Sequence, residues 1–317
     1  MAMNSIQFQP GLSMFEFMEC YGSVEQCEAA LERQRWPEGF RCPRCACTKA
    51  WPLRRSGHSL RQCRGCGYQA SLTAGTILQD TKLPLTKWFM AMQLLSQAKT
   101  NMAALELRRQ LGVSYPTAWM LKHKITESMR LAEADRQLHG SVQIDDAYLG
   151  GERSGGKPGR GSENKVPFVL AVQTVGLNAQ AYRVCAALLP FRRSALAEFC
   201  QRHLARPLTV YSDGLDCFSA AAHAGVHRRI VTAGGKAAAQ HPAFRAVNVM
   251  LGNLKTAITG TYHAIKFAKY ASRYLADFQF RFNRRENMKQ MLPEMLSALV
   301  HAPISPLTAL REPESAC

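Results

Sequence analysis

The chain has 317 residues, 47% of them hydrophobic as in ordinary folded globular proteins, and this length allows two or three domains. Its formal net charge is +17, spread along the whole chain, which favours a long polyanion as partner over a membrane surface. The sequence shows neither a transmembrane run nor a signal pattern, so we expect a cytoplasmic, nucleoid-associated protein whose 11 Cys stay reduced or bind metal. The alternative is an ordinary basic soluble protein.

Two C-x-x-C pairs lie in the second predicted unit, residues 36–80, which follows an N-terminal helical segment, residues 1–35. At this spacing four thiolates can surround one structural Zn²⁺ tetrahedrally, as in a zinc ribbon. The predicted ligands are Cys42, Cys45, Cys63 and Cys66. Basic residues surround these pairs, and among them Arg54 and Arg55 are predicted to contact a DNA backbone. The alternatives are a metal-free ribbon and a solvated basic face.

Residues 81–139 predict a helical DNA-binding domain, with helices at 85–98, 101–110 and 115–129. The last two helices flank a tight turn at Gly112, which is the spacing of a helix-turn-helix. Ser114 suits the N-cap of the third helix. The side chains predicted to face a major groove are Thr117, Met120, His123 and Lys124. A plain helical hairpin is the alternative.

Strands dominate after Gly140, and the predicted order over residues 140–290 is β-β-β-α-β-α-β-α. The first strand carries Asp145 and Asp146 and breaks at a glycine pair, while the fourth ends on Asp213. This order resembles the RNase H-like arrangement, in which the first strand lies centrally beside the fourth, so Asp145 and Asp213 should come together. A rigid strand that delivers a carboxylate to a glycine-rich loop suits metal-dependent phosphoryl chemistry. The alternative is an acidic strand end with no chemical role.

The helix predicted over residues 247–258 carries Asn248 and Lys255 two turns apart, beside an apolar face that seats it on the sheet. Two strand-end carboxylates and such a polar pair have the layout of an RNase H-like nucleotidyl-transfer site. A solvated helix surface is the alternative for both residues. The stretch 152–165, rich in Gly, Lys and Arg, is either a disordered hairpin tip or an arm that touches phosphates. Residues 291–317 are expected to form a C-terminal tail.

Together these stretches resemble bacterial insertion-sequence transposases of the ISXO-like group in the DDE superfamily, which have an N-terminal zinc ribbon and a D-D-N-K catalytic pattern. The matching stretches are residues 144–151, Ser212-Asp213-Gly214, Asn248 to Lys255, residues 260–263 and the run 274–285. The resemblance implies a multidomain α+β protein. Its parts would be the zinc ribbon, the helix-turn-helix and an RNase H-like α/β catalytic domain on a mixed five-stranded sheet.

The resemblance also implies a DNA transposase that cleaves and joins strands. Asp145, Asp213 and Asn248 would ligate Mg²⁺ or Mn²⁺, as two ions, and Lys255 would steady a phosphate oxygen. The implied partners are double-stranded DNA, as the element's ends and its target, and further copies of this chain. Strand alternation leaves open whether Asp145 or Asp146 faces the metals, and the resemblance favours Asp145.

Two other functions stay open. A catalytically inactive or domesticated DNA-binding protein is one, because Asn248 stands where the family often has Glu and the site loses one negative charge. A structure-selective nuclease, which cuts DNA without joining it, is the other. The intact pattern of Asp145, Asp213 and Lys255 favours the transposase.

Overall fold

A computed structural model describes residues 6–55, 57–98, 100–150, 165–232, 241–262 and 267–312. The chain divides into two compact units. Unit 1 contains the residues up to Ala98 together with Met102–Leu131 and Arg284–Leu310. Unit 2 contains Ala132–Asn283, a short segment that ends at Asn101, and the residues from Arg311 onward. The predicted loop 152–165 lies outside the described residues, apart from its last residue.

Unit 1 begins with two helices, α1 (Met14–Tyr21) and α2 (Val24–Arg35). Each starts at a serine whose side chain accepts a backbone N–H in the first turn, in a complete capping box. A three-stranded antiparallel sheet follows, formed by β1 (Ala50–Arg55), β2 (His58–Cys63) and β3 (Gln69–Ser71) in that order. Ala50 pairs with Cys63, so the segments that hold the two Cys pairs meet at one end of this ribbon.

Three helices come next along the chain: α3 (Leu85–Gln97), α4 (Ala104–Leu111) and α5 (Tyr115–Glu133). The helix α4 ends at Gly112, whose φ of 60° lies in the left-handed region that favours glycine. Ser114 then accepts the N–H of Thr117 at the start of α5, which is the N-cap predicted from the sequence. Trp88, Phe89 and other large side chains of α3 are buried in the core of unit 1.

Unit 2 is built on a mixed five-stranded sheet, as the sequence predicts. Its strands are β4 (Leu138–Leu149), β5 (Val166–Val175), β6 (Gln180–Leu188), β7 (Leu204–Ser212) and β8 (Gly225–Arg229), in the spatial order β6-β5-β4-β7-β8. The first three are antiparallel neighbours, while β7 runs parallel to both β4 and β8. The helices of this unit include α6 (Arg193–His203), a 3-10 helix (Asp216–His223), α7 (Arg245–Thr261) and α8 (Phe267–Asn283), and a short 3-10 turn (Pro242–Phe244) precedes α7.

Each face of this sheet carries its own buried core. On one face Val142 and Ile144 of β4 pack with side chains of α6 and the 3-10 helix. On the other face Ala147 and Leu149 of β4 pack with side chains of α7 and α8. Because side chains alternate along a strand, the odd-numbered residues of β4 lie on the α7 face and the even-numbered ones on the α6 face.

Side-chain amides of α8 cover the free edge of strand β6. Asn283 Oδ1 accepts the N–H of Val184 at 2.8 Å, and its Nδ2 donates to the Val184 carbonyl oxygen at 2.9 Å. Gln279 Oε1 accepts the N–H of Ala186 at 2.9 Å, and both amides donate to the buried carboxylate of Glu133. These bonds satisfy backbone groups that have no strand neighbour on this side within the described ranges, so α8 covers the edge of the sheet.

The predicted C-terminal tail is wrong. Residues 291–301 form α9 (Met291–His301), which packs against α2 and α3 in unit 1, and α10 (Leu307–Arg311) follows. The buried side chains of α9 recur at helical spacing, among them Met291, Met295 and Leu299. Such a stripe needs an apolar partner, and that partner comes from parts of the chain far away in sequence. In the part of the chain that the structure describes, no helix is long and apolar enough to cross a membrane.

Candidate active site and metal centre

Three carboxylates meet where the parallel pairing of β4 and β7 stops. Asp145 and Asp146 lie inside β4, and Asp213 follows the last residue of β7. Gln143 of β4 pairs with Tyr211 of the parallel strand β7, so the residues that follow these two lie at the same end of the sheet. One carboxylate oxygen from each of Asp145, Asp146 and Asp213 lies within 4.8 Å of the others. The structure therefore brings together the two Asp residues that the sequence paired, and it adds Asp146 to them.

The two neighbouring Asp residues of β4 lie on opposite faces of the sheet. Asp145 is odd-numbered and shares its face with α7, the helix that carries Asn248 and Lys255. Asp146 lies on the other face, where its charge contributes, after burial, to the raised pKa of the Cys217 thiol in the 3-10 helix. This geometry gives Asp145 and the polar pair of α7 a common face.

Burial raises the pKa of Asp145 from 3.8 to about 7, and the negative charge of Asp146 is the next largest cause. The N–H of Asp146, which donates to Asp145 Oδ1 at 2.9 Å, and the charge of Lys255 act in the opposite direction. Three half-buried carboxylates crowded together are unfavourable when all are ionised. A hard divalent cation prefers oxygen ligands and would relieve this repulsion, so the donor set fits Mg²⁺ or Mn²⁺.

The helix α7 is held against β4 by a buried polar contact that the sequence did not predict. Gln143, two residues before Asp145, accepts the N–H of Val247 at 3.0 Å through its side-chain oxygen. The predicted apolar stripe of α7 is buried at Val247, Met250, Leu251, Leu254 and Ile258. Asn248 is half-buried and Lys255 is exposed. A Gln between the apolar residues Val142 and Ile144 is the signal that could have pointed to this contact.

Two residues of β8 support the segment that presents Asp213, and sequence reasoning missed both. His227 Nε2 lies 2.8 Å from the hydroxyl of the buried Ser212, and Arg229 Nη2 donates to the carbonyl oxygen of Gly214 at 2.5 Å. Asp213 Oδ1 accepts the N–H of Leu215 at 2.9 Å, which turns the chain sharply after the carboxylate. Burial lowers the pKa of His227, with a further contribution from the charge of Arg229.

The four predicted zinc ligands also come together. One sulfur atom from each of Cys42, Cys45, Cys63 and Cys66 lies within 4.8 Å of the others, and Cys47 is not part of this group. The Sγ atoms of Cys45 and Cys63 are 3.5 Å apart, and those of Cys42 and Cys66 are 3.7 Å apart. Sulfur atoms at these separations can surround one tetrahedral Zn²⁺, and four thiolates leave no open position for a substrate.

Residues 137–283 match the family model of the ISXO2-like transposase domain, and residues 22–69 match that of the transposase zinc-ribbon domain. The chain carries an ISXO2-like transposase domain behind a transposase zinc ribbon. A protein described as uncharacterized, in the transposable element ISH50 of Halobacterium salinarum, is 28% identical over 220 residues, which cover 63% of this chain and 71% of that protein.

The two matches cover both sites described above. The transposase domain runs from just before β4 to the end of α8, so it includes all three clustered carboxylates and α7. The zinc-ribbon domain includes α2 and the four clustered cysteines. These domains imply the use of a divalent metal, the binding of zinc and the binding of DNA.

The groove-facing side predicted for α5 is wrong at two positions. His123 is 2% exposed and its ring lies 4.1 Å from that of Trp119, so it faces the protein interior. Lys124 Nζ donates to the carbonyl oxygen of Ile77 at 2.8 Å, and burial lowers the pKa of this amine. The aliphatic stem of a lysine can lie along apolar surface when its amine finds a hydrogen-bond acceptor. A polar residue of α5 is therefore not necessarily exposed to solvent.

The other residues predicted to contact DNA also differ in how exposed they are. Thr117 and Met120 are half-buried, and Arg55 is exposed on the ribbon. Arg54 lies 3.5 Å from a carboxylate oxygen of Glu25 in α2, so a protein carboxylate already contacts this guanidinium.

Proposed function

We propose that this transposase binds the ends of its own insertion sequence and catalyses metal-dependent cleavage and transfer of DNA strands. The observation that carries the proposal is the cluster of three carboxylate oxygens within 4.8 Å, just beyond the point where the parallel pairing of β4 and β7 stops in the transposase domain. A fold that keeps three acidic groups close together despite their repulsion suits metal-assisted chemistry at phosphorus.

Asp145 and Asp213 are proposed as the principal metal ligands, with the amide oxygen of Asn248 as a third. Two bound ions would act as Lewis acids at the scissile phosphate. Asp145 would have to lose its proton to bind a metal ion, because a carboxylate ligates in its ionised form. Lys255 is exposed on the same face, and it would bind and orient a phosphate oxygen of the DNA.

Binding of DNA and assembly of the transposase belong to the same proposal. The zinc ribbon and the helical part of unit 1 would hold double-stranded DNA, with Arg55 and Thr117 among the contacts. An element has two ends, so copies of the chain bound to both would form a homo-oligomer on the DNA. The protein would therefore act at the nucleoid.

A cleavage and joining assay on duplexes that carry the element's own flanking ends tests this function. Asp145→Ala and Asp213→Ala should each lower the cleavage rate by at least about a hundredfold, because each removes a ligand of the reacting centre. Binding to the same DNA should stay unchanged. Asp216→Ala is the matched control, because this exposed carboxylate pairs with Arg193 and lies outside the cluster.

Each alternative has its own outcome in that assay. Wild-type protein that binds the ends but never cuts them would make the chain an inactive DNA-binding protein. Cutting without joining would make it a nuclease. If Asp146→Ala abolishes cleavage while Asp145→Ala cuts normally, the assignment of the metal face to the odd-numbered residues of β4 is wrong.

The proposed role of Asn248 needs a separate experiment. An amide attracts a cation less than a carboxylate does, so cleavage by the wild type should require a high Mg²⁺ concentration or favour Mn²⁺. Asn248→Ala should lose most of the activity, whereas Asn248→Asp should keep some and need less metal. Asn253→Ala on the exposed side of the same helix is the control. Unchanged rate and metal dependence in Asn248→Ala would reduce this residue to a helix-surface amide.

A further inference from the structure

The two faces of the zinc ribbon differ in how their positive charges are used. The pairing of β1 with β2 aligns Arg54 with Ser59 and Pro52 with Arg61, and these residues share one face. On this inner face the acidic side of α2 meets the ribbon. Arg61 binds both carboxylate oxygens of Glu32 at 2.5 Å. The ribbon's cations are therefore neutralised here by protein carboxylates.

The contacts of Glu28 continue this neutralisation along the inner face. Its carboxylate accepts the hydroxyl of Ser59 at 2.6 Å and lies 3.9 Å from the guanidinium of Arg54. A DNA phosphate that approached this face would meet the glutamates of α2, and it would have to break the two charge-assisted bonds of Arg61. The cations of the inner face are therefore already engaged by protein carboxylates.

The opposite face of the ribbon carries an exposed aromatic platform. Trp51 pairs with Gln62 across the strands. Because side chains alternate along a strand, Trp51 lies on the face opposite to Arg54 and Arg61. The residue is 56% exposed. The guanidinium of Arg64 lies 3.6 Å from the centre of the Trp51 ring. Stacking on an indole orients a guanidinium while its N–H donors stay available to a phosphate.

Two further cations belong to segments that are linked to the segment of Arg64. The backbone N–H of Arg64 donates to the carbonyl oxygen of Lys49 at 3.0 Å. Arg44 lies between the two cysteines of the first C-x-x-C pair and Arg64 between those of the second, and the sulfur atoms of both pairs form one cluster. Both Lys49 and Arg44 are exposed. Among the described residues, the ion pairs of the ribbon involve Arg54 and Arg61 but neither these two cations nor Arg64.

We propose that this knuckle surface, formed by Arg44, Lys49, Trp51 and Arg64, is where the zinc ribbon contacts the phosphates of double-stranded DNA. The inference rests on the proposed binding of DNA and assigns it to one face of the ribbon. Three cations without protein carboxylates can replace counterions on a DNA backbone, which is the main source of affinity for such surfaces. Trp51 contributes without any charge of its own, because it holds Arg64 in one orientation before DNA arrives.

The test measures binding of the full-length, zinc-loaded protein to a fluorescent duplex that carries an element end. Anisotropy is recorded from about 50 to about 200 mM KCl, without Mg²⁺ or Mn²⁺ so that the DNA stays uncut. Arg44→Gln, Lys49→Gln and Arg64→Gln should each reduce the slope of log K against log salt by about 0.9, the value of one phosphate contact. Arg54→Gln, on the inner face, should leave the slope unchanged.

The uncharged member of the knuckle surface supplies a second measurement. Trp51→Leu should weaken binding about two- to fivefold, the value of an exposed cation–π contact, and Trp51→Phe should recover part of that loss. Zinc content is measured for every variant, so a collapsed ribbon is recognised. An Arg54→Gln slope that falls as much as that of Arg64→Gln would overturn the assignment, as would unchanged slopes in all three knuckle variants. Wild-type protein that binds no DNA would instead refute the proposed function itself.

Discussion

Replacing Asp145 by Asn is expected to stabilise the protein at alkaline pH in the absence of Mg²⁺ and Mn²⁺, although it removes a proposed metal ligand. In the folded protein the pKa of Asp145 is about 7, against an ordinary value of 3.8. Between these two values the folded state keeps a proton that the unfolded chain has lost. The free energy of unfolding therefore falls as the pH rises through this window, and the whole loss is present above the folded pKa.

The size of the effect follows from the same two values. One pKa unit corresponds to about 1.4 kcal/mol, so the gap sets an upper bound on the order of 4 kcal/mol. Asp145 is only half-buried, so solvent screens its charge and the free-energy gain stays below this bound. We expect Asp145→Asn to be about 1–2 kcal/mol more stable than the wild type at about pH 8. For a unit of this size the gain corresponds to a rise of roughly 2–8 °C in Tm.

Unfolding by urea, followed by far-UV circular dichroism and by hydrogen exchange of β4 and β7, measures this difference. The four Trp of the chain all lie in unit 1, so their fluorescence does not report on the unit that holds Asp145. The gain should be smaller at about pH 5, because less of the wild-type destabilisation is present there. Adding Mn²⁺ should stabilise the wild type and leave Asp145→Asn unchanged.

Asp216→Asn is the matched control for this comparison. Its hydrogen bond to Arg193 lowers the pKa of Asp216, so the ionised form is favoured in the folded state and its loss should give no gain at either pH. An Asp145→Asn protein that is no more stable than the wild type at about pH 8 would refute the reasoning. A gain of equal size at both pH values would do the same, since it would then arise from something other than ionisation.

Two further predictions concern the zinc ribbon and the sheet edge. Cys63→Ser should hold less than one Zn²⁺ per chain and lose hydrogen-exchange protection in the ribbon, whereas Cys47→Ser, outside the sulfur cluster, should keep full zinc by metal analysis. Full zinc in Cys63→Ser would contradict the assigned ligands. Asn283→Ala leaves the N–H and the carbonyl of Val184 without their side-chain partner, so its urea unfolding should show a loss of about 2–4 kcal/mol. The exposed Asn253→Ala should change little, and an equally stable Asn283→Ala would show that this edge needs no partner.

The sequence by itself determined the parts of the protein that depend on neighbours along the chain. Two close cysteine pairs predicted the zinc ligands because a C-x-x-C turn places two thiolates on one metal whatever surrounds it. Alternating residues and glycine breaks predicted the individual strands, whereas the meeting of Asp145 and Asp213 was predicted from the resemblance of the strand order to the RNase H-like arrangement. The apolar stripe of α7 was equally clear, because helical periodicity is a local property.

Only the tertiary structure decided which polar side chains are free to act. The sequence placed His123 and Lys124 on an outer face, but His123 is buried and Lys124 is half-buried. The Lys124 amine donates to the carbonyl oxygen of Ile77, which is distant in sequence. Arg54 and Arg64 look alike in the sequence, yet one meets the glutamates of α2 and the other stacks on Trp51. A pattern of residue types records what each side chain prefers, whereas burial and pairing depend on partners that are brought near only by the fold.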